Sequence, residues 1–134
     1  MSFSVLNQAK VFSSFTVRDL DEARAFYSET LKIDTKNWPE MGFELIFTDG
    51  NRHFVYQKKN HRAADFTVLN FIVENIDVAL EDLKSKSITP QYYNDPDLPQ
   101  DEKGVVRGLA TGHGPDIAWI KDPSGNILSI LQPE

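Results

Sequence analysis

Three histidines and a scatter of carboxylates are the residues of this chain best suited to acid–base or metal chemistry, and cysteine is absent. Disulfides, zinc–thiolate sites, iron–sulfur clusters and thiol nucleophiles are therefore excluded. His113 stands in Thr111-Gly112-His113-Gly114-Pro115, where flanking glycines would let it swing over a pocket as an acid or base. The other reading is an exposed loop tip, since no carboxylate is paired with it in sequence. Gly112-His113-Gly114 is not a phosphate-binding fingerprint, because the third glycine and the strand-to-helix context are missing. His53 and His61 flank strand ends and are expected to face water. Asp95, Asp97, Asp101 and Glu102 form an acidic loop with two prolines, without the glycine and spacing of a calcium loop. It suits a solvated loop, or a surface for a cationic ligand. Lys58-Lys59-Asn60-His61-Arg62 reads as a solvated basic turn. Trp38, Tyr92, Tyr93 and Trp119 offer stacking surface for a pocket or a dimer seam.

The chain that must position these groups has 134 residues, the length of one domain. A chain of that size hides about two-thirds of its unfolded surface, so it can build a core without staples. Lys and Arg number 14 against 20 Asp and Glu, a net charge of −6. A nucleic-acid binder would carry a basic face, and an anionic membrane would repel this sign, so neither partner is expected. No stretch approaches the ~20 apolar residues of a membrane span. The opening Met1–Lys10 has no apolar run of signal-peptide length, and the chain reads as cytoplasmic.

Alternation in Val11–Val17 predicts a strand with Phe15 and Val17 on one side and Phe12, Ser14 and Thr16 on the other. Asp19 with Glu22 three residues on is a capping-box start, and Leu20, Ala23, Tyr27 and Leu31 recur at helical spacing, predicting a helix over 20–31. Strands are predicted over 43–47 and 53–57, joined by Asp49-Gly50-Asn51, and over 67–73. Asn75 caps a second helix with the stripe Ile76, Ala79, Leu80 and Leu83. The span 90–115 holds four of seven prolines and four of seven glycines and reads as loop, with strand at 91–93 and 105–109. A closing hairpin runs from Ile117 through Asp122-Pro123-Ser124-Gly125 to Gln132.

The two halves repeat. Phe15–Ala23 aligns with Phe71–Ala79 at an offset of 56 residues, with Phe, Val, Asp and Ala identical. Asp49-Gly50-Asn51 to Gln57 likewise resembles Ser124-Gly125-Asn126 to Gln132. The expectation is an α+β fold, a single domain over 1–134, of two βαβββ repeats at about 9–60 and 65–132. These would form a curved mixed sheet with a central cleft and helices outside.

Phe15-Thr-Val-Arg-Asp-Leu-Asp-Glu-Ala-Arg-Ala-Phe-Tyr27 and Ala118-Trp-Ile-Lys-Asp-Pro-Ser-Gly-Asn-Ile-Leu-Ser-Ile-Leu-Gln132 resemble the opening and closing motifs of the vicinal oxygen chelate superfamily. That group includes glyoxalase I, bleomycin-resistance proteins, methylmalonyl-CoA epimerases and extradiol dioxygenases. The resemblance spans about Val11 to Gln132 and speaks for fold rather than function. In metal-dependent members it implies His or Glu early in each half and Glu late in each half, holding a Lewis-acid metal against vicinal substrate oxygens. Carried across by motif, those positions are Phe12, Val68, Ser129 and Phe54, or Tyr56 if the register slips by two. None supplies imidazole or carboxylate, so no metal and no cofactor is expected.

The inward strand faces would then present Phe12, Ser14, Phe54, Tyr56, Val68, Asn70, Ile127, Ser129 and Leu131. This is an apolar and aromatic surface with a few hydroxyl and amide groups, as small-ligand sites have. Val68, Ile127 and Leu131 read better as core, since such residues are mostly buried for packing. The expected binding residues are Phe12, Ser14, Phe54, Tyr56, Asn70, Trp119, Ser129 and His113. The expected function is metal-independent binding of a small amphipathic molecule. The alternative is a metal-dependent lyase, isomerase or dioxygenase, or metal-free acid–base work by His113 or Tyr56. The resemblance also implies a homodimer.

Overall fold

A computed structural model describes residues 4–134; the first three residues of the opening segment lie outside the described residues. The chain divides into two compact units, one ending at His61 and the other starting at Arg62. The first follows a β-α-β-β-β order, and the second adds one short helix between its second and third strands.

In the first unit β1 (Ser13–Val17) leads through Asp19 into α1 (Leu20–Arg24), and β2 (Asp34–Trp38), β3 (Gly42–Ile46) and β4 (Arg52–Gln57) complete a sheet of order β1-β4-β3-β2. β1 runs parallel to β4, and the remaining pairs are antiparallel. The alternation in β1 holds: Phe15 and Val17 are buried and Ser14 is exposed. Phe15, Val55 and Phe43 stand opposite one another across three strands and form the core with Tyr27, whose ring lies 5.9 Å from Phe15. Asp19 caps the helix by accepting from Glu22 N at 2.9 Å. The predicted helix over 20–31 is helical throughout but not uniform. Beyond Arg24 it widens into a π-helix over Ala25–Thr30, closed by Leu31 N donating to Phe26 O. The wider turn narrows the angle between consecutive side chains, so neighbours Phe26 and Tyr27 are both buried.

The second unit has β5 (Thr67–Ile72), α2 (Ile76–Ser85), β6 (Val106–Arg107), α3 (Gly108–Thr111), β7 (Asp116–Lys121) and β8 (Ile127–Gln132), in sheet order β5-β8-β7-β6. Leu69, Leu128 and Ile120 pack on one face with Phe71, Ile130 and Ala118. α2 lays Ile76, Leu80 and Leu83 inward, and Asn75 caps it at Val78 N, 3.1 Å.

Two expectations are corrected here. No strand forms at 91–93; Gln91 N donates to Trp119 O, and the Gln100 amide supplies the rest, accepting from Tyr93 N and donating to Gln91 O. One side chain thus does what a neighbouring strand would do. The strand expected over 105–109 is only Val106–Arg107, because the backbone turns into α3 at Gly108. A Cβ there would lie 2.5 Å from Pro115 O, so glycine permits the close crossing.

Candidate functional site

The open face of the first sheet carries Ser14, Phe54, Glu44 and Lys36 in one row across all four strands. At its β2–β3–β4 side lies a pocket of about 340 Å³. Phe12, Trp38, Met41 and Phe54 give it almost wholly apolar walls. Phe12 is 69% exposed and Met41 is also largely uncovered, so this aromatic and thioether surface faces water in the free chain. Phe54 stacks on Tyr56 with ring centroids 6.1 Å apart.

Glu44, Arg52 and His53 also line the pocket. Glu44 accepts from Trp38 Nε1 at 2.6 Å and from Arg52 Nη1 at 3.3 Å. The first bond fixes the indole plane at the pocket wall. Lys36, opposite Glu44 in the ladder, places Nζ 4.7 Å from the Trp38 ring centroid. His53 is not the water-facing residue expected. It is half-buried, its Nδ1 lies 2.5 Å from Ser13 Oγ, and its ring meets Phe47 edge-on at 5.7 Å. Burial disfavours the imidazolium, so its pKa falls below the ordinary value, partly offset by the Asp49 charge. His61 is likewise half-buried and bonded, Nδ1 to Thr16 Oγ1 at 2.6 Å.

On the second sheet, Asn70, Ser129 and Trp119 stand in one row across β5, β8 and β7. Ser129 is fully buried and donates to Asn70 Oδ1 at 2.5 Å, which satisfies the hydroxyl and orients the exposed amide. Trp119 is half-buried, with Tyr93 edge-on at 5.7 Å. Burial raises the Tyr93 pKa.

The sequence-derived binding residues therefore fall into two groups. Phe12, Ser14, Phe54 and Tyr56 share the open face of the first sheet, with Phe12 and Phe54 at the pocket. Asn70, Ser129 and Trp119 share a row on the second. His113 joins neither cluster: it lies exposed just past α3, with no side-chain hydrogen bond or ion pair among the described residues. Asp101 of the acidic loop turns to internal bonds with Lys103 N, Val105 N and Arg107. Sequence reasoning missed Met41, Glu44, Arg52 and His53 as pocket residues. β2 was also missed: only its pairing with β3 sets Lys36 against Glu44 and Trp38 near it, and Asp34–Trp38 has no apolar alternation to announce a strand.

The metal positions implied by the resemblance carry the wrong donors. Phe12 and Phe54 are phenyl groups, Val68 sits at a β-bulge between Thr67 and Leu69, and Ser129 spends its hydroxyl on Asn70. Among the described residues no cluster of three or more His, Asp or Glu side chains can hold a metal ion. The residues at these positions do not fit such a metal.

The chain matches no family model and no curated protein. Solved structures match along nearly its whole length. Lactoylglutathione lyase from Agrobacterium tumefaciens is 15% identical, covering 92% of this chain and 93% of that one, with a TM-score of 0.63. A glyoxalase/bleomycin resistance protein/dioxygenase from Alicyclobacillus acidocaldarius is 18% identical over 92% and 91%, with a TM-score of 0.64. An antibiotic binding protein from a Streptomyces species is 17% identical over 95% and 98%, with a TM-score of 0.62. At these identities the likeness speaks for fold. The chain has the fold of these solved glyoxalase and bleomycin-resistance-like structures, a four-stranded sheet in each half.

Proposed function

We propose that this protein binds a small amphipathic molecule without a metal, in the pocket walled by Phe12, Trp38, Met41 and Phe54. The observation that carries the reading is the pocket itself: exposed aromatic surface around a carboxylate already satisfied by Trp38 and Arg52. A metal-dependent activity would need ligands that the corresponding positions do not carry. The antibiotic binding protein of the same fold supports binding as a role this architecture can fill. Single-chain domains of this fold exposing such faces suit assembly as a homodimer, which the molar mass in solution tests.

The test uses Trp38 as reporter, with 2-naphthamide as a neutral aromatic probe. Saturable fluorescence quenching or a binding isotherm by calorimetry is expected, unchanged by EDTA and lost in Phe54→Asp. Absence of binding, or binding that chelator abolishes, would overturn the proposal.

A further inference from the structure

We propose that the pocket of the first unit selects a planar organic anion, an aromatic ring bearing a carboxylate, with Arg52 as its charge partner. This rests on the binding reading above and adds the charge of the ligand.

The argument begins with Glu44, the one carboxylate lining the pocket. Both of its oxygens are committed: Oε1 to Trp38 Nε1 and Oε2 to Arg52 Nη1. Its side chain is 15% exposed. Each oxygen already has a donor and little of the carboxylate is exposed, so a cationic ligand would meet a paired and largely covered charge. Glu44 therefore shapes the pocket without offering a free negative charge. Arg52 is in the opposite position. A guanidinium has five N–H donors, and the single bond to Glu44 uses one. Its side chain is 51% exposed beside the apolar pocket it helps to line, so a ligand whose ring lies in the pocket would find the guanidinium at the rim.

Lys36 adds a second positive charge. Its Nζ stands over the Trp38 ring, and among the described residues it makes no ion pair. Two cations against one anion leave this corner positive, on a chain whose net charge is −6. His53 is the remaining titratable group that lines the pocket, and Asp34 lies at the far end of β2 from Trp38. His53 sits beside Arg52, and its surroundings favour the neutral imidazole. Asp49 is turned to its own loop, accepting from Asn51 N at 2.8 Å. Glu40 is exposed in the turn between β2 and β3 and does not line the pocket. The aromatic walls take a flat ring, and a carboxylate on that ring would meet Arg52 in the planar pairing that guanidinium and carboxylate favour.

The experiment compares three probes of one shape, 2-naphthoate, 2-naphthamide and 2-naphthylmethylammonium, by calorimetry on the full chain at pH 7.5 and low salt. The anion is expected to bind about five- to tenfold more tightly than the amide, with the ammonium weakest. Raising the salt to 0.5 M should shrink that ratio, because the Debye length shortens. Arg52→Gln should bring the anion-to-amide ratio near one, and Lys36→Gln, which keeps Glu44 paired, should lower it in part. Equal binding of anion and amide, or tighter binding of the ammonium, overturns the charge selection and leaves the pocket reading standing. No binding by any of the three overturns both.

Discussion

The side-chain oxygen of Gln57, at the end of β4, accepts a hydrogen bond from Leu20 N in the first turn of α1 at 3.0 Å. Gln132, at the end of β8, makes the same bond to Ile76 N at 3.0 Å in the second unit. Each helix start thus receives one bond from its own capping residue and one from the last strand of its sheet, which satisfies two donors the helix itself cannot. Replacing Gln57 or Gln132 by alanine should cost about 1 kcal/mol each in urea unfolding, more at Gln132, whose bond is partly buried. Glutamate should restore most of it, since a carboxylate accepts the same bond and suits a helix N-terminus. Equal losses in the Ala and Glu variants would mean that packing, not the bond, matters.

Arg107 joins three segments of the second unit. It reaches Asp77 of α2 at 2.8 Å, Asp101 of the loop at 2.9 Å and Asp116 of β7 at 3.5 Å. Hydrogen bonds from Arg107 hold the Asp77 carboxyl below its ordinary range. Arg107→Met should destabilise the fold by about 2 kcal/mol, a buried-pair loss reduced by the partial exposure of these groups. A carboxyl with a lowered folded pKa stabilises above its unfolded value, near 4, and that stability is lost as pH falls through the folded value. Stability measured from pH 5 downward should therefore fall less steeply in the variant than in the parent.

Gly42 opens β3 with φ of +150°, and a Cβ there would lie 2.1 Å from Val55 O. Gly42→Ala must either push β4 away or strain the backbone. We expect a loss of about 3 kcal/mol or more, read as a lower thermal midpoint, together with weaker binding at the pocket, because the added Cβ would also lie 3.2 Å from Phe54 Cζ. Unchanged stability would mean that the β3–β4 approach is looser than described.

His53 has its folded pKa depressed by burial. Protonation is then easier in the unfolded chain, so stability should decline as pH falls below about 6.5, the unfolded histidine value. His53→Gln, which keeps a partner for Ser13, should flatten the stability profile between pH 6.5 and 5. A profile identical to the parent's would remove His53 as the group responsible.

Ser129→Ala tests the second row. It removes the bond to Asn70 but leaves no buried partner behind, because Asn70 is exposed and can turn to water. A cost of about 1 kcal/mol is expected in chemical unfolding. A loss of several kcal/mol would show that Ser129 matters through packing.

Much of this architecture is legible in local chemistry. Asp19 and Asn75 cap where a capping residue precedes an apolar stripe, and Asp49 and Asp122 each accept from the Asn amide that follows a turn glycine. These signals act over two to four residues, so sequence spacing alone carries them. The alternation that buries Phe15 and Val17 and leaves Ser14 outside is equally local. What the sequence by itself determined is the repeat of a strand, a capped helix and further strands in each half, and the donor-poor chemistry of Phe12, Phe54, Val68 and Ser129. The tertiary structure decided which side chains meet. Trp38 and Glu44 are six residues apart, yet the Trp38 Nε1 bond to Glu44 exists only because β2 folds back on β3. Arg52 reaches Glu44 through the β3–β4 ladder, and the Gln100 amide replaces a strand partner at 91–93. Such contacts depend on strand register, which is set by hydrogen bonds between distant segments and leaves no periodic trace in either one.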